Sequence, residues 1–334
     1  MSLSEFQLLR PRAVDEAVSF LSQHAGKIQI LAGGTDIIPS MRQKLFTPGY
    51  VLDIRGISEL RGIREERDVV VIGALTTLTA LERSAILRRD YPVLAAAAAT
   101  VASPVLRNMG TIGGNICLDT RCLWYNQSLT WRKSCGFCIK KDGDLCHVAP
   151  GGTECWAAFS ADTPPALLCL DAEIEIVGPK GARRMALKDF YTSIGEAHIN
   201  LAKNELLTRV FLPRSTAGYR GEYRKLRVRG SIDYPLAGIA VTVKSSNGLI
   251  EDARVAITAL NPAPLLVSGA HELLSDNEVN EEIAAAVGDL AAITAKPLTT
   301  SALTPEYRRE MIRVMAKRAV LSLGRESGGR KRPN

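Results

Sequence analysis

The chain has 334 residues, 46% apolar and 23% charged, the composition of an ordinary globular protein with room for two or three domains. No apolar run reaches the length of a membrane span, and the opening Met1-Ser2-Leu3-Ser4-Glu5-Phe6 lacks the basic and apolar regions of a secretion signal. The net charge of +7 is scattered and aromatic content is only 5%, so no nucleic-acid groove or base-stacking surface is expected.

Residues 1–56 read as a small α/β unit. Val14, Ala17, Val18 and Leu21 have helical spacing. Ile28-Gln29-Ile30-Leu31 reads as a buried strand, and Leu31-Ala32-Gly33-Gly34-Thr35-Asp36-Ile37 opens directly from it. A short helix over 37–44 and a strand over 50–54 follow. A Gly-Gly pair at the carboxyl end of a strand is either a plain turn or a row of backbone N–H groups able to hold phosphate oxygens.

A second unit, 57–177, begins with the strand Asp68–Gly73 and continues through helices from about Thr79 and from Tyr91 to Ala102. Ser103-Pro104 ends the latter. Gly110-Thr111-Ile112-Gly113-Gly114-Asn115 is a second Gly-Gly loop with short polar flanks. Two such loops together point to a diphosphate cradle. From about 120 to 159 periodicity disappears, and this stretch holds five cysteines and all three tryptophans. A structureless stretch of that length needs a reason, and ligation of a metal or cluster supplies one. With no secretion signal, seven cysteines imply a reducing compartment, the cytoplasm, rather than disulfides.

Regular structure resumes at Ala161. Ala172–Val177 alternates as a strand, and the turn Gly178–Gly181 reads as a boundary. Residues 178–324 are expected to form an antiparallel sheet with helices on one face. Strands are expected at 205–212 and 238–244, and a hairpin at Asn247-Gly248. Helices close the chain at 278–293 and 305–323, the last with Thr304 as N-cap and Pro305 at its first position. Residues 325–334 read as a disordered tail. The fold class is α+β.

Four motifs in this order, Ala32–Asp36, Arg107–Asn115, Asp162-Thr163-Pro164-Pro165-Ala166-Leu167-Leu168 and Tyr223–Arg229, resemble the FAD-binding medium subunits of molybdenum hydroxylases. The resemblance covers nearly the whole chain. It implies two α/β subdomains of the PCMH-type FAD fold clasping the flavin, followed by the C-terminal sheet-and-helix domain. It also implies a subunit with no substrate site and no catalytic residue of its own, partnered by a large subunit carrying molybdenum and a small one carrying two [2Fe–2S] clusters. A dimer of such heterotrimers is the assembly it implies.

Residue by residue, the resemblance assigns Leu31 to Ile37 to the first pyrophosphate loop and Gly110 to Asn115 to the second. Val101 and Leu207 match apolar flavin contacts, Asp162 matches a carboxylate that fixes the flavin, and Lys225 matches a lysine near its ring. Each has a plainer alternative. Val101 and Leu207 fit ordinary core packing, Asp162 fits a helix N-cap, and Lys225 fits an exposed strand lysine.

The 120–159 segment departs from most of the family and resembles the insert of the beta subunit of 4-hydroxybenzoyl-CoA reductases, which carries a [4Fe–4S] cluster. Spacing alone favours Cys135-x-x-Cys138. The resemblance instead implies Cys122, Cys138, Cys146 and Cys155 as ligands, with Cys135 spare, while Cys117, continuing the second loop, and Cys169, on an apolar run, read as buried thiols. A Cys₄ zinc site is the alternative. The resemblance further implies FAD and one cluster as cofactors, and reduced ferredoxin as electron donor. It implies reductive dehydroxylation of 4-hydroxybenzoyl-CoA on another subunit, in anaerobic aromatic degradation. A related hydroxylase with a different aromatic substrate, a stand-alone flavin dehydrogenase and a zinc-stabilised interaction module are the competing readings. His24, His147, His198 and His271 show no clustering that a flavin dehydrogenase would need.

Overall fold

The structure is a computed structural model that describes residues 2–325. The tail expected over 325–334 lies, apart from Arg325, outside the described residues.

The first unit is β1 (Gln7–Leu9), α1 (Val14–Gln23), β2 (Ile28–Leu31), α2 (Ile37–Arg42) and β3 (Tyr50–Asp53). Its three strands form a parallel sheet in the order β1-β3-β2, with Tyr50 opposite both Gln7 and Ile28. Val14, Ala17, Val18 and Leu21 are the buried stripe of α1, packed on Ile28, Leu52 and Ile54. The short edge strand β1 carries no alternating pattern to mark it.

The second unit begins with β4 (Ile63–Glu65) and β5 (Val69–Gly73). It continues with α3 (Leu78–Arg83), α4 (Ala85–Asp90), α5 (Pro92–Thr100), α6 (Pro104–Arg107), α7 (Ile112–Ile116), α8 (Leu129–Ser134) and α9 (Thr163–Cys169). It closes with β6 (Glu173–Gly178), β7 (Gly181–Ala186) and β8 (Leu206–Pro213). The five strands make an antiparallel sheet in the order β4-β5-β8-β6-β7. This sheet runs across the boundary expected at 177/178. The Gly178–Gly181 turn joins β6 to β7, and β8 pairs with both β5 and β6. The strand expected at 205–212 as part of a C-terminal sheet is therefore central to the middle one. A tight turn marks a hairpin as readily as a domain limit, and local signals do not say which partner a strand takes.

The third unit is β9 (Arg220–Leu226), β10 (Ala237–Ser246), β11 (Leu249–Thr258) and β12 (Leu265–Leu266), with α10 (Ala270–Leu274), α11 (Glu281–Thr294) and α12 (Pro305–Arg325). The four strands are antiparallel in the order β12-β11-β10-β9. Asn247 and Gly248 have φ of 52° and 87°, the paired left-handed residues of a hairpin turn. Asn280 accepts from Ile283 N–H at 2.8 Å and Thr304 from Tyr307 N–H at 3.2 Å, capping α11 and α12. Ile239, Val241 and Val243 face α11 and α12, whereas Ala240 and Ala256 face the core that holds α5 and α9. The sheet is thus a wall between two cores, and β9 on its edge carries side chains into the space beside α5 and α9. No helix among the described residues is long and apolar enough to cross a membrane.

Candidate functional site

The two Gly-Gly loops meet backbone to backbone. A Cβ on Gly33 would lie 2.1 Å from the carbonyl oxygen of Met109 and 3.0 Å from the Cα of Gly110, so only glycine permits the contact. Gly34 has φ of 78°, which glycine adopts without strain. The loops differ in what they offer. The N–H groups of Gly33, Gly34, Thr35 and Asp36 find no acceptor among the described residues. They form an open row of donors suited to an anion. In the second loop Ile112 N–H donates to Thr76 O, Gly113 N–H to Ala74 O, and Gly114 N–H to Thr111 Oγ1. Its glycines instead allow close packing, since a Cβ on Gly113 would lie 2.9 Å from that of Ala74.

Asn115 turns its carbonyl oxygen to Thr163, accepting from the backbone N–H at 3.1 Å and from the hydroxyl at 2.6 Å. It therefore serves the start of α9. That frees Asp162, which sits at the N-cap position but makes no cap bond. Its carboxylate instead accepts from Tyr223 Oη at 2.7 Å and Lys225 Nζ at 3.0 Å. Lys225 also donates to Thr100 O at 3.1 Å, and its side chain is only 4% exposed. Neither plainer alternative for this pair describes the structure. Burial pushes the Asp162 carboxyl up and the Lys225 ammonium down, each opposed by the partner's charge. Val101 ends α5, half-buried, and Leu207 is packed in the middle core.

Arg121 and Tyr234 join the site without having been singled out in the sequence. Asp36 accepts from Arg121 Nη2 at 2.8 Å and from Tyr234 Oη at 3.0 Å. The segment between β9 and β10 that carries Tyr234 also leans on Ala102, whose carbonyl accepts from Ile232 N–H at 2.9 Å. Nothing in the residues around Tyr234 marks it, because its partner is 198 positions away.

The 120–159 segment folds around its thiols. Cys122, Cys138, Cys146 and Cys155 line one cavity together with Trp124, Tyr125, Lys140 and His147, enclosing about 260 Å³ of space free of protein atoms, its mouth included. Cys135, half-buried, is not among the lining residues, and Cys117 and Cys169 lie elsewhere. Burial pushes Cys122 up and Cys155 up to about 12. Among the described residues, no three His, Cys, Asp or Glu side chains close on one point as ligands of a single ion.

The segment is tied down on several sides. Arg132, 2% exposed, donates to Lys44 O at 2.8 Å. Leu123 N–H donates to Thr300 O at 2.8 Å, in a loop held by the fully buried Arg308 through Ser301 and Leu298. Gly195 N–H donates to Cys155 O at 2.8 Å, and a Cβ there would lie 2.9 Å from the Cys155 sulfur. Lys140 donates to Asp119, Thr120 and Gly195 at 2.8, 2.6 and 2.7 Å. Burial, the largest influence on Asp119, pushes its carboxyl up, but Lys140 and Arg121 outweigh it and leave it below the usual range.

Comparison with known proteins fits this geometry. The family described as the FAD binding domain in molybdopterin dehydrogenase matches residues 4–215, and the CO dehydrogenase flavoprotein C-terminal domain matches residues 221–323. The two matches divide between β8 and β9, where the chain changes sheet. The chain is 33% identical to the carbon monoxide dehydrogenase medium chain of Afipia carboxidovorans, with 94% of this chain and 95% of that one covered. It is 25% identical to the xanthine dehydrogenase FAD-binding subunit of Escherichia coli O157:H7, with 96% of this chain and 97% of that one covered. A crystal structure of the Cu,Mo-CO dehydrogenase in its cyanide-inactivated form superposes with a TM-score of 0.80 at 30% identity, covering 98% of this chain and 100% of that one. The chain therefore belongs to the FAD-binding medium subunits of the xanthine oxidase and carbon monoxide dehydrogenase family, as a flavin-carrying subunit of an oxidoreductase.

Proposed function

We propose that this chain is the FAD- and [4Fe–4S]-carrying subunit of a molybdenum-dependent 4-hydroxybenzoyl-CoA reductase. In this reading it carries electrons inward from a reduced ferredoxin. They pass toward the two [2Fe–2S] clusters of a small subunit and the molybdenum of a large one, in a dimer of heterotrimers. There two electrons and two protons convert 4-hydroxybenzoyl-CoA to benzoyl-CoA and water. FAD exchanges electrons singly or in pairs and an iron–sulfur cluster exchanges them singly, so the two together couple a one-electron donor to a two-electron reduction.

The observation that carries the reading is the convergence of Cys122, Cys138, Cys146 and Cys155 on one cavity, with Cys135 outside it. Four thiols lining one cavity match in number the thiolates a cubane takes. For the flavin, the open donor row of residues 33–36 would hold the diphosphate. Asp162, Tyr223 and Lys225 supply a buried, polarised group beside α5. Lys225 offers positive charge where reduction adds negative charge. The four histidines are dispersed. His24 stacks on Tyr50 and His147 on Trp124, His198 is buried, and His271 faces Asp252. This favours an electron carrier over a flavin dehydrogenase with its own acid and base.

The test is the iron, acid-labile sulfide, zinc and FAD content of anaerobically purified chain, with a low-temperature EPR spectrum after dithionite reduction. About four iron and four sulfide per FAD, with a reduced-cubane signal lost in Cys138→Ser, is the expected result. Flavin without iron, or zinc in the thiol cavity, would leave a flavin subunit of another molybdenum hydroxylase with a structural insert.

A further inference from the structure

Lys140 and Asp119 join the thiol cavity to the stretch that follows the second Gly-Gly loop. Asp119 follows shortly after α7, the helix that loop starts, and Lys140 lines the cavity itself. The Lys140 side chain is 5% exposed, and its ammonium stands 2.8 Å from the Asp119 carboxylate and 5.1 Å from the centre of the Tyr125 ring. The second Asp119 oxygen is buried without a hydrogen-bond partner. An ion pair buried this deeply is a poor stabiliser, because the cost of removing both charges from water rivals their attraction. An orphaned carboxylate oxygen adds to that cost. Holding together Thr120 and Gly195 does not require a charge, since neutral donors would serve. What a charge pair supplies is an oriented field: Lys140 lines the cavity and its charge acts on Cys155, whereas Asp119 does not line it.

Resting on the cluster reading above, we propose that the Lys140–Asp119 pair sets the reduction potential of the group held by Cys122, Cys138, Cys146 and Cys155. Lys140 raises that potential and Asp119 moderates the effect. Reduction adds one electron to a site already ringed by thiolates. A fixed ammonium at its wall stabilises the reduced state more than the oxidised one, and a carboxylate does the reverse. The pair thereby acts on the potential step between the cysteine site and the flavin loop. Lys140 and Asp119 are positioning residues in this account and ligate nothing.

The test is an EPR-monitored redox titration of the anaerobically purified wild-type chain and of Lys140→Met, Lys140→Arg and Asp119→Asn, with iron and sulfide measured on each. With iron content unchanged, the midpoint should fall in Lys140→Met, by about 59 mV for a tenfold change in a one-electron equilibrium. It should return toward wild type in Lys140→Arg and rise in Asp119→Asn. Opposite directions for the two charge removals are what a merely structural role cannot produce. An unshifted midpoint, or shifts in the same direction, would overturn the proposal while leaving the cluster in place. If Lys140→Met loses its iron, Asp119→Asn decides: a rise supports the proposal and no rise overturns it. Wild-type chain without iron would defeat the cluster reading itself, and this inference with it, an outcome distinct from an unshifted midpoint.

Discussion

Single atoms decide the fit at several positions. The Gly33 Cα lies so close to Met109 that a methyl group would sit 2.1 Å from its carbonyl oxygen. Gly33→Ala must push the two loops apart, at about 1–3 kcal/mol for an overpacked contact. Flavin affinity is then expected to fall roughly tenfold to a hundredfold, read as FAD retained after gel filtration. Asp162 and Lys225 make a different case. Truncating either leaves the other charged and buried, so Asp162→Asn or Lys225→Met should each cost roughly 3–5 kcal/mol in urea unfolding. The double variant should recover part of that loss. If both single variants unfold like the wild type, the pair is not the buried couple described here. Both glycine loops were legible in the sequence because adjacent glycines mark close backbone approach. Asp162 and Lys225 stood out only through the family resemblance, since a residue before Pro164 reads locally as a helix cap and a strand lysine as exposed. Tyr234, Arg121 and Gly195 were not legible, because each acts on a residue far away in the chain.

Among the elements, the cysteine segment depends most on its neighbours. It contains one short helix, α8, and otherwise takes its shape from bonds to the turn after α2, to the 190s loop and to the loop before α12. Gly195→Ala would put a methyl 2.6 Å from Cys155 O and 2.9 Å from its sulfur. On the cluster reading proposed above, the prediction is a chain that keeps its FAD and loses most of its iron, measured on the same sample. Equal loss of both would mean general unfolding. The long helices, the hairpin at Asn247-Gly248 and the cap at Thr304 could be read from periodicity and turn chemistry, whereas the cap at Asn280 falls inside the helix expected from 278. The assignment of β8 to the middle sheet could not be read this way, since any strand with one apolar face can pair in either sheet.

For the molecule as a whole, one buried imidazole contributes to the pH dependence of stability. Burial lowers His198 from its ordinary 6.5 to about 4. Between those values the unfolded chain binds a proton that the folded chain refuses, so stability rises with pH across that window and is lost as pH falls through it. The contribution is up to roughly 3 kcal/mol. His198→Gln should flatten the pH dependence of the urea midpoint between pH 6.5 and 4, and an unchanged slope would assign the effect elsewhere. The bond from Tyr234 to Asp36 has a consequence for the order in which the protein is made. It closes a span of 198 residues, and Tyr223 and Lys225 also come from the last third of the chain. A nascent chain that has emerged only to Pro213 has both glycine loops and the whole middle sheet, yet none of these three side chains. On the flavin site proposed above, fragments arrested before β9 should be recovered colourless, whereas flavin retained by them would place the whole flavin site within the domain matched over residues 4–215.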